Sequence, residues 1–329
     1  MKPLLDFLTK RREIGLLLFL VVTVLVVTLI NPAFLSAQNV RDLLIKSAPV
    51  AIIACGMTFV IVTAEIDISV GSLMGLLAAV LGILTSETRL HLPVAVAIPL
   101  VLLLGTGLGT LNGLLVTVGR IPSIIVTLGM LTLLRGVTEI TMGGEWIQNL
   151  PTDLRFWGTG NLLGIPVPAL VAGVVFLLCL LMAQQTALGR QLYAVGGNCD
   201  AARLLGLSVS LLKWFPFALV GLLTGVATVV SVPQLSVIES GVGQGLELLV
   251  VTCVVVGGTA LQGGRGTLTG TLLAVFLMTM VGTALIFLKL GEASAYWERA
   301  IQGAFILLAV LADHSAKQVR QKAISGRAA

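Results

Sequence analysis

From residue 14 to residue 30 the chain reads IGLLLFLVVTVLVVTLI, without one charged side chain. A bilayer's hydrocarbon core takes about 20 apolar residues of helix to cross. A backbone inside that core has only itself to bond to, so a run of this kind is readable as a spanning helix and as little else. The pattern recurs. Charge-poor runs near that length lie at 14–31, 47–64, 68–85, 92–118, 121–139, 162–183, 213–232, 246–261, 267–288 and 299–312. With 57% hydrophobic and 11% charged residues, the chain has too little polar surface to coat a water-soluble globule. Aromatics are scarce at 5% and glycines number 37, which suits closely packed helices rather than an aromatic-girdled barrel. The predicted fold class is all-α, a polytopic membrane helical bundle of about 10 transmembrane helices. One transmembrane domain is expected over 14–312, between a short segment 1–13 and a basic tail 313–329. The first run is longer than a signal-peptide core and no A-x-A site follows it, so it is expected to be retained.

The net charge of +5 and pI of 9.3 are accounted for by topology. The positive-inside rule places Lys2, Lys10, Arg11 and Arg12 in the cytoplasm. Ten spans then return the C-terminus, with Lys317, Arg320, Lys322 and Arg327, to the same side. The polar loop 184–212, with Arg190 and Arg203, follows six spans and is cytoplasmic as well. Both termini are thus expected on the cytoplasmic side of a membrane, with lipid around the spans and no nucleic acid partner. The outward loops 140–161 and 233–245, rich in Gly and carrying Trp146 and Trp157, are open to three readings: a cap on the bundle, a docking surface for a partner, or simply interfacial aromatics and turns. Cys55, Cys179, Cys199 and Cys253 are far apart, and the only histidines are His91 and His314. Neither a metal site nor a disulfide framework is suggested.

Within the polar loop, residues 196–207 read GGNCDAARLLGL. Asn198 is a good N-cap, Asp200 suits the first turn, and Gly206 followed by Leu207 suits a helix C-terminus. The helix between them is about seven residues long, too short to be stable alone in water. It needs something to pack on, either this chain or another protein that receives its small Ala201 and Ala202 face.

The same stretch resembles the G-x-N-x-x-A-A-x-x-x-G-[IVL] loop of permease subunits of bacterial ABC importers for monosaccharides and related compounds, the ribose, xylose, rhamnose and autoinducer-2 group. EIDISVGS (65–72), GTGLGTLNGLLV (105–116), IPSIIVTLGMLTLLRG (121–136) and VVVGGTALQGGRGTLTGTLLA (254–274) match that family in order, over about residues 15–312. Cys199 stands where proline is usual, Ala260 where serine is usual, and Glu65 is an extra acid. The stretch TLLRGVTEITMGGEWIQNLP resembles the rhamnose and autoinducer-2 members most.

The resemblance implies a coupling helix that takes up motion from a separate ABC ATPase, with Gly197, Asn198, Ala201, Ala202 and Gly206 as its residues. It also implies a second permease chain, identical or homologous, and a periplasmic or lipid-anchored solute-binding protein. The chain is not expected to be an enzyme or to bind a cofactor, because ATP and Mg belong to the ATPase. A P-loop needs G-x-x-x-x-G-K-[ST], and no lysine here follows a glycine. GGTALQGGRG reads instead as a close-packing turn. The solute would cross by alternating access.

Polar residues inside the spans are few and costly, about 2.5–3.5 kcal/mol for an acid at the bilayer centre. Glu65, Asp67, Ser69, Asn112 and Glu247 are the pathway candidates. For Asp67 and Ser69 the alternative is capping of a helix that starts near Val70, with Glu65 at the interface. Glu247 also suits a helix N-terminus. Asn112 lies beside Gly105, Gly109 and Gly113, a small-residue face for helix contact. Arg135 and Glu139, spaced i and i+4, are expected to pair. Two rivals stay open, an ion-coupled secondary transporter using the acids and a related permease for nucleosides or branched-chain amino acids.

Overall fold

The computed structural model describes residues 12–289, 296–298, 300–305, 307–308 and 311. The segment 1–11, the tail from 312 and part of the tenth expected span lie outside them. The described stretch 300–305 is helical.

The long helices in chain order are α1 (Arg12–Ile30), α2 (Ala37–Val62), α3 (Val70–Thr85), α4 (Val94–Thr117), α5 (Ser123–Met142), α7 (Val167–Gln185), α10 (Val209–Ser231), α11 (Leu246–Val256) and α12 (Leu268–Phe287). Three short ones, α6 (Thr152–Thr159), α8 (Ala187–Gly197) and α9 (Cys199–Leu204), lie in the connections. Among the described residues seven helices are long and apolar enough to cross a bilayer, while α3 and α11, with 16 and 11 residues, are shorter. The chain is an all-α polytopic membrane protein.

The centre is α2. Some 89% of its apolar window is buried, and it packs against α7, α10, α11 and α12. It begins at Ala37 rather than at 47, because Ser36 caps it through the Asn39 N–H (3.3 Å) and its first turns carry Arg41, Asp42 and Lys46 beyond the apolar stretch. Helices α1, α4, α5 and α7 form the rim and turn apolar faces outward. The expected small-residue face is used for packing. A β-carbon on Gly105 would lie 2.6 Å from the Gly221 carbonyl oxygen, and one on Gly113 would lie 2.9 Å from the Trp214 ring. Backbones of α4 and α10 thus approach as only glycine permits.

The connections gather at two ends. At one, Ser86 Oγ donates to the Gln148 carbonyl (2.6 Å), Ile147 and Ile238 pair their backbones, and Arg41 reaches the Thr159 carbonyl (3.3 Å). A two-residue hairpin, β1 (Asn161–Leu162) with β2 (Ile165–Pro166), turns through Leu163 and Gly164, both at positive φ, as a tight right-twisted hairpin requires. At the other end lie the linkers 63–69 and 118–122, the segment 186–208 and the glycine-rich loop 257–267. The start of α1 is there too, since Glu13 accepts hydrogen bonds from Thr267 and Thr269 at 2.6 and 2.7 Å.

The expected span 246–261 is helical only over Leu246–Val256, and the crossing it belongs to is completed by non-helical chain before it. After Ile238, whose side chain lies against Gly82, the chain descends along α3 in turns. Arg135 Nη1 donates to the carbonyls of Ser240 (2.7 Å) and Val242 (3.0 Å), and Gly243 lies on the Gly71 backbone. From Gly82 to Gly71 is about 16 Å of helix axis, and the 11 residues of α11 add about as much. Half of this crossing is unwound backbone, and the rest is α11. The segment 239–245 therefore enters the bundle, where the sequence suggested an outward loop throughout 233–245. The expected Arg135–Glu139 pair does not form, because the guanidinium is taken by these carbonyls.

Candidate functional site

Two breaks in the helical pattern bring polar residues together, and each is built differently.

The first is the end that holds α8 and α9. Asn198 Oδ1 accepts from the N–H groups of Asp200 (3.1 Å) and Ala201 (2.9 Å), so the predicted N-cap forms. Gly206, at φ +80°, donates its N–H to the Arg203 carbonyl (3.0 Å), and Leu207 donates to that of Ala202 (3.1 Å). These are the bonds of a helix ended by a left-handed glycine. The helix is anchored through its entry. A β-carbon on Gly196 would overlap the Val62 carbonyl, which also accepts the Gly264 N–H at 2.8 Å, and one on Gly264 would lie 2.6 Å from Gly197 Cα. Tyr193 donates its hydroxyl to the Gly266 carbonyl (3.0 Å). Burial pushes that phenol's pKa up, so it remains a neutral donor. The glycine-rich loop is a close-packing turn, and α8 with α9 is seated on it.

Ala202 is a correction. It is 2% exposed and packed on its own chain, so it offers no face to a partner. Ala201 is exposed, and beside it Leu204 and Leu205 are 89% and 80% exposed. These two leucines were missed, although their i+3 and i+4 spacing from Ala201 marks one helix face.

Glu65 belongs to this end as well. Lys213 Nζ lies 2.6 Å from Glu65 Oε1, with side chains 23% and 12% exposed. The pair borders a cavity of about 720 Å³ with Arg120, Cys199 and Arg203 on its wall. The linker is tied further. The Ile66 N–H donates to Ser123 Oγ (3.3 Å), and Asp67 Oδ1 accepts from Ser69 N–H (2.8 Å) and Ser69 Oγ (2.6 Å). Asn112 Nδ2 donates to Ser69 Oγ (2.9 Å). Asp67, Ser69 and Asn112 are buried on one another, an arrangement of local turn and interhelical bond rather than an open lining. Ser69 itself makes no capping bond to α3, so that part of the capping expectation fails, while Asp67 fixes the turn that launches it.

The second break is 239–247. Glu247 stands in the first turn of α11 as expected and accepts the Gly245 N–H at Oε1 (3.2 Å). Its Oε2 lies against Gly71 and has no hydrogen-bond partner. Glu247 is the one pathway candidate that the structure leaves with a free acceptor beside an unwound backbone, apart from Asn112, whose Oδ1 is also unpartnered but sealed in the core.

The family model described as branched-chain amino acid transport system / permease component matches residues 39–310. The chain is 38% identical to the ribose import permease protein of Haemophilus influenzae, covering 94% of both chains. It is also 38% identical to that of Bacillus subtilis, covering 92% of each. It is 34% identical to the autoinducer 2 import system permease protein of an Enterobacter species, covering 94% of this chain and 89% of the other. No solved structure matches. With a family match over most of its length and end-to-end likeness to these proteins, the chain belongs to the ABC import permeases of the branched-chain amino acid permease-component family, in the company of the ribose and autoinducer 2 members.

Proposed function

We propose that the chain is the membrane-spanning permease subunit of an ABC importer that carries a ribose-, rhamnose- or autoinducer-2-like hydroxylated solute across the bacterial inner membrane. Alternating access is driven by a separate ATPase, and ATP and Mg are bound there. Two permease chains, identical or homologous, pair in the membrane, and a periplasmic or lipid-anchored binding protein delivers solute to the loops around 140–161. Both termini and α9 face the cytoplasm.

The observation that carries this reading is α9 itself, a capped helix of 6 residues that presents Leu204 and Leu205 to solvent. Burying two leucines in a partner's groove is worth about 1.5–3 kcal/mol each, whereas leaving them bare gains this chain nothing. Motion applied to α9 has rigid routes inward. One passes from α8 through Gly196 onto the Val62 carbonyl at the end of α2. The other passes from the second turn of α10 through Lys213 to Glu65. Both reach the linker that launches α3.

The likeness to ribose permeases at 38% and to autoinducer 2 permeases at 34% supports the solute class, and ribose stands beside the rhamnose or autoinducer-2 preference read from the sequence. The test is the double variant Leu204→Asp/Leu205→Asp in the assembled transporter. It should insert normally and lose at least ten-fold in affinity for the ATPase and in uptake. Unchanged ATPase binding would defeat the assignment of α9.

A further inference from the structure

We infer that the unwound segment 239–245 and the opening of α11 line the water-filled solute pathway, with Glu239, Gln244 and Glu247 as its hydrogen-bonding groups. The inference rests on the proposed transport function and locates its solute site in a part of the chain that the sequence assigned to an outward loop.

Backbone without helical bonding is tolerated at membrane depth only where protein buries it or water reaches it. Residues 239–245 lie at that depth. Ser240 and Val242 are fastened by Arg135, which is three turns into α5, and Gly243 touches Gly71 near the opposite end of α3. Yet the segment is not covered by its own chain. Glu239, Gly241, Gln244 and Gly245 are exposed, and so is Leu248 one turn further along. Hydrocarbon cannot be what faces them. An ionised carboxylate and a primary amide would be unsatisfied there at a cost of several kcal/mol.

A dry contact with a second permease is disfavoured by the same groups. Neither the Glu239 carboxylate nor the Gln244 amide has a hydrogen-bond or ion-pair partner among the described residues, and Glu247 Oε2 lacks one too. Water satisfies the two exposed groups, and so does a polyhydroxylated solute, whose O–H groups donate to carboxylates and accept from an amide. Two carboxylates, Glu239 and Glu247, stand here against the single Arg135 guanidinium, so the lining is acidic on balance. It suits a neutral polyol and repels an anion.

The contrast with the linker 63–69 is in the satisfaction of its polar atoms. There Asp67, Ser69 and Asn112 bond one another in a sealed core. Here Glu239 and Gln244 are left open along a line that runs inward from near Ile238 to the buried, unpartnered Glu247 Oε2. Arg135 fixes the depth of that row without occupying it.

The test is cysteine accessibility in the assembled transporter, after the four native cysteines are replaced. Glu239→Cys and Gln244→Cys are placed singly, with Leu133→Cys, exposed on the rim helix α5, as the lipid-facing control. Each is treated with a charged, membrane-impermeant thiosulfonate. Both segment positions should react at least ten-fold faster than Leu133→Cys, and trapping the ATPase in its nucleotide-bound state should change the Gln244→Cys rate. Reaction as slow as the control at both positions overturns the inference. Fast reaction that is indifferent to nucleotide trapping upholds the pathway and defeats the ATP-driven reading instead.

Discussion

The linker between α2 and α3 and the segment before α11 are both non-helical stretches in a helical membrane protein, and they solve the same problem in opposite ways. In the linker the hydroxyl and carboxylate side chains have partners, and the unpartnered Asn112 Oδ1 beside them is sealed in the core. Val62 accepts from Gly264, Ile66 donates to Ser123, Asp67 holds Ser69, and Glu65 meets Lys213. In the segment Arg135 secures two carbonyls, while the side chains of Glu239, Gln244 and Glu247 keep open valences. A satisfied break transmits force because it has one arrangement. An unsatisfied break invites a ligand because it does not. We read the first as the mechanical joint of the transporter and the second as its chemical lining.

The largest expected effect breaks the joint. Gly196→Val drives a side chain into the Val62 carbonyl, with no flexible neighbour to yield. Overpacking ordinarily costs about 1–3 kcal/mol and more where, as here, the clash is with backbone, so the yield of folded protein should collapse. Gly197→Ala, which meets nothing within 4 Å, should be recovered at near wild-type yield.

Next, Lys213→Ala strands the nearly buried Glu65 carboxylate. Loss of one partner of a buried pair costs about 3–5 kcal/mol, less here because both groups keep some exposure. Thermal stability in detergent should fall. Glu65→Gln, which keeps an acceptor for Lys213, should fall less. If the pair is a joint, the exchange Glu65→Lys/Lys213→Glu restores more uptake per ATP hydrolysed than either single change.

Removing the guanidinium with Arg135→Leu leaves the Ser240 and Val242 carbonyls unpaired, at about 1–3 kcal/mol each. The unwound segment should then gain mobility, read as faster hydrogen exchange over 239–245 than over the linker. Smallest is Asn198→Ala. Loss of an N-cap costs about 1 kcal/mol, so ATPase affinity should drop a few-fold with no change in folded yield.

How much of this was legible in the sequence follows from the range of the interactions involved. The bundle was legible because charge-free runs are a local property. The caps at Asn198 and Gly206 were legible for the same reason. The start of α2 was misplaced, since Arg41, Asp42 and Lys46 ride on helical turns that extend past the apolar zone, and hydropathy cannot see a helix there. Ala202 was assigned to the partner face because both alanines were taken together, whereas helical geometry turns adjacent residues about 100° apart. The Glu65–Lys213 pair joins residues 148 positions apart and left no local trace. The unwound segment did leave one, the run ESGVGQG, but Gly-rich turns read alike at a surface and in a pathway. Only contact with Gly71, Gly75 and Arg135 places it at depth.

The central claim is that this chain moves solute only when another protein's ATP hydrolysis levers α9. It is tested most directly by reconstituting the purified permease in vesicles with and without its ATPase and binding protein, and measuring accumulation of radiolabelled ribose and rhamnose. The account predicts accumulation against a gradient only in the complete assembly with ATP. Uphill accumulation by the permease alone, driven by a proton or sodium gradient, would contradict it.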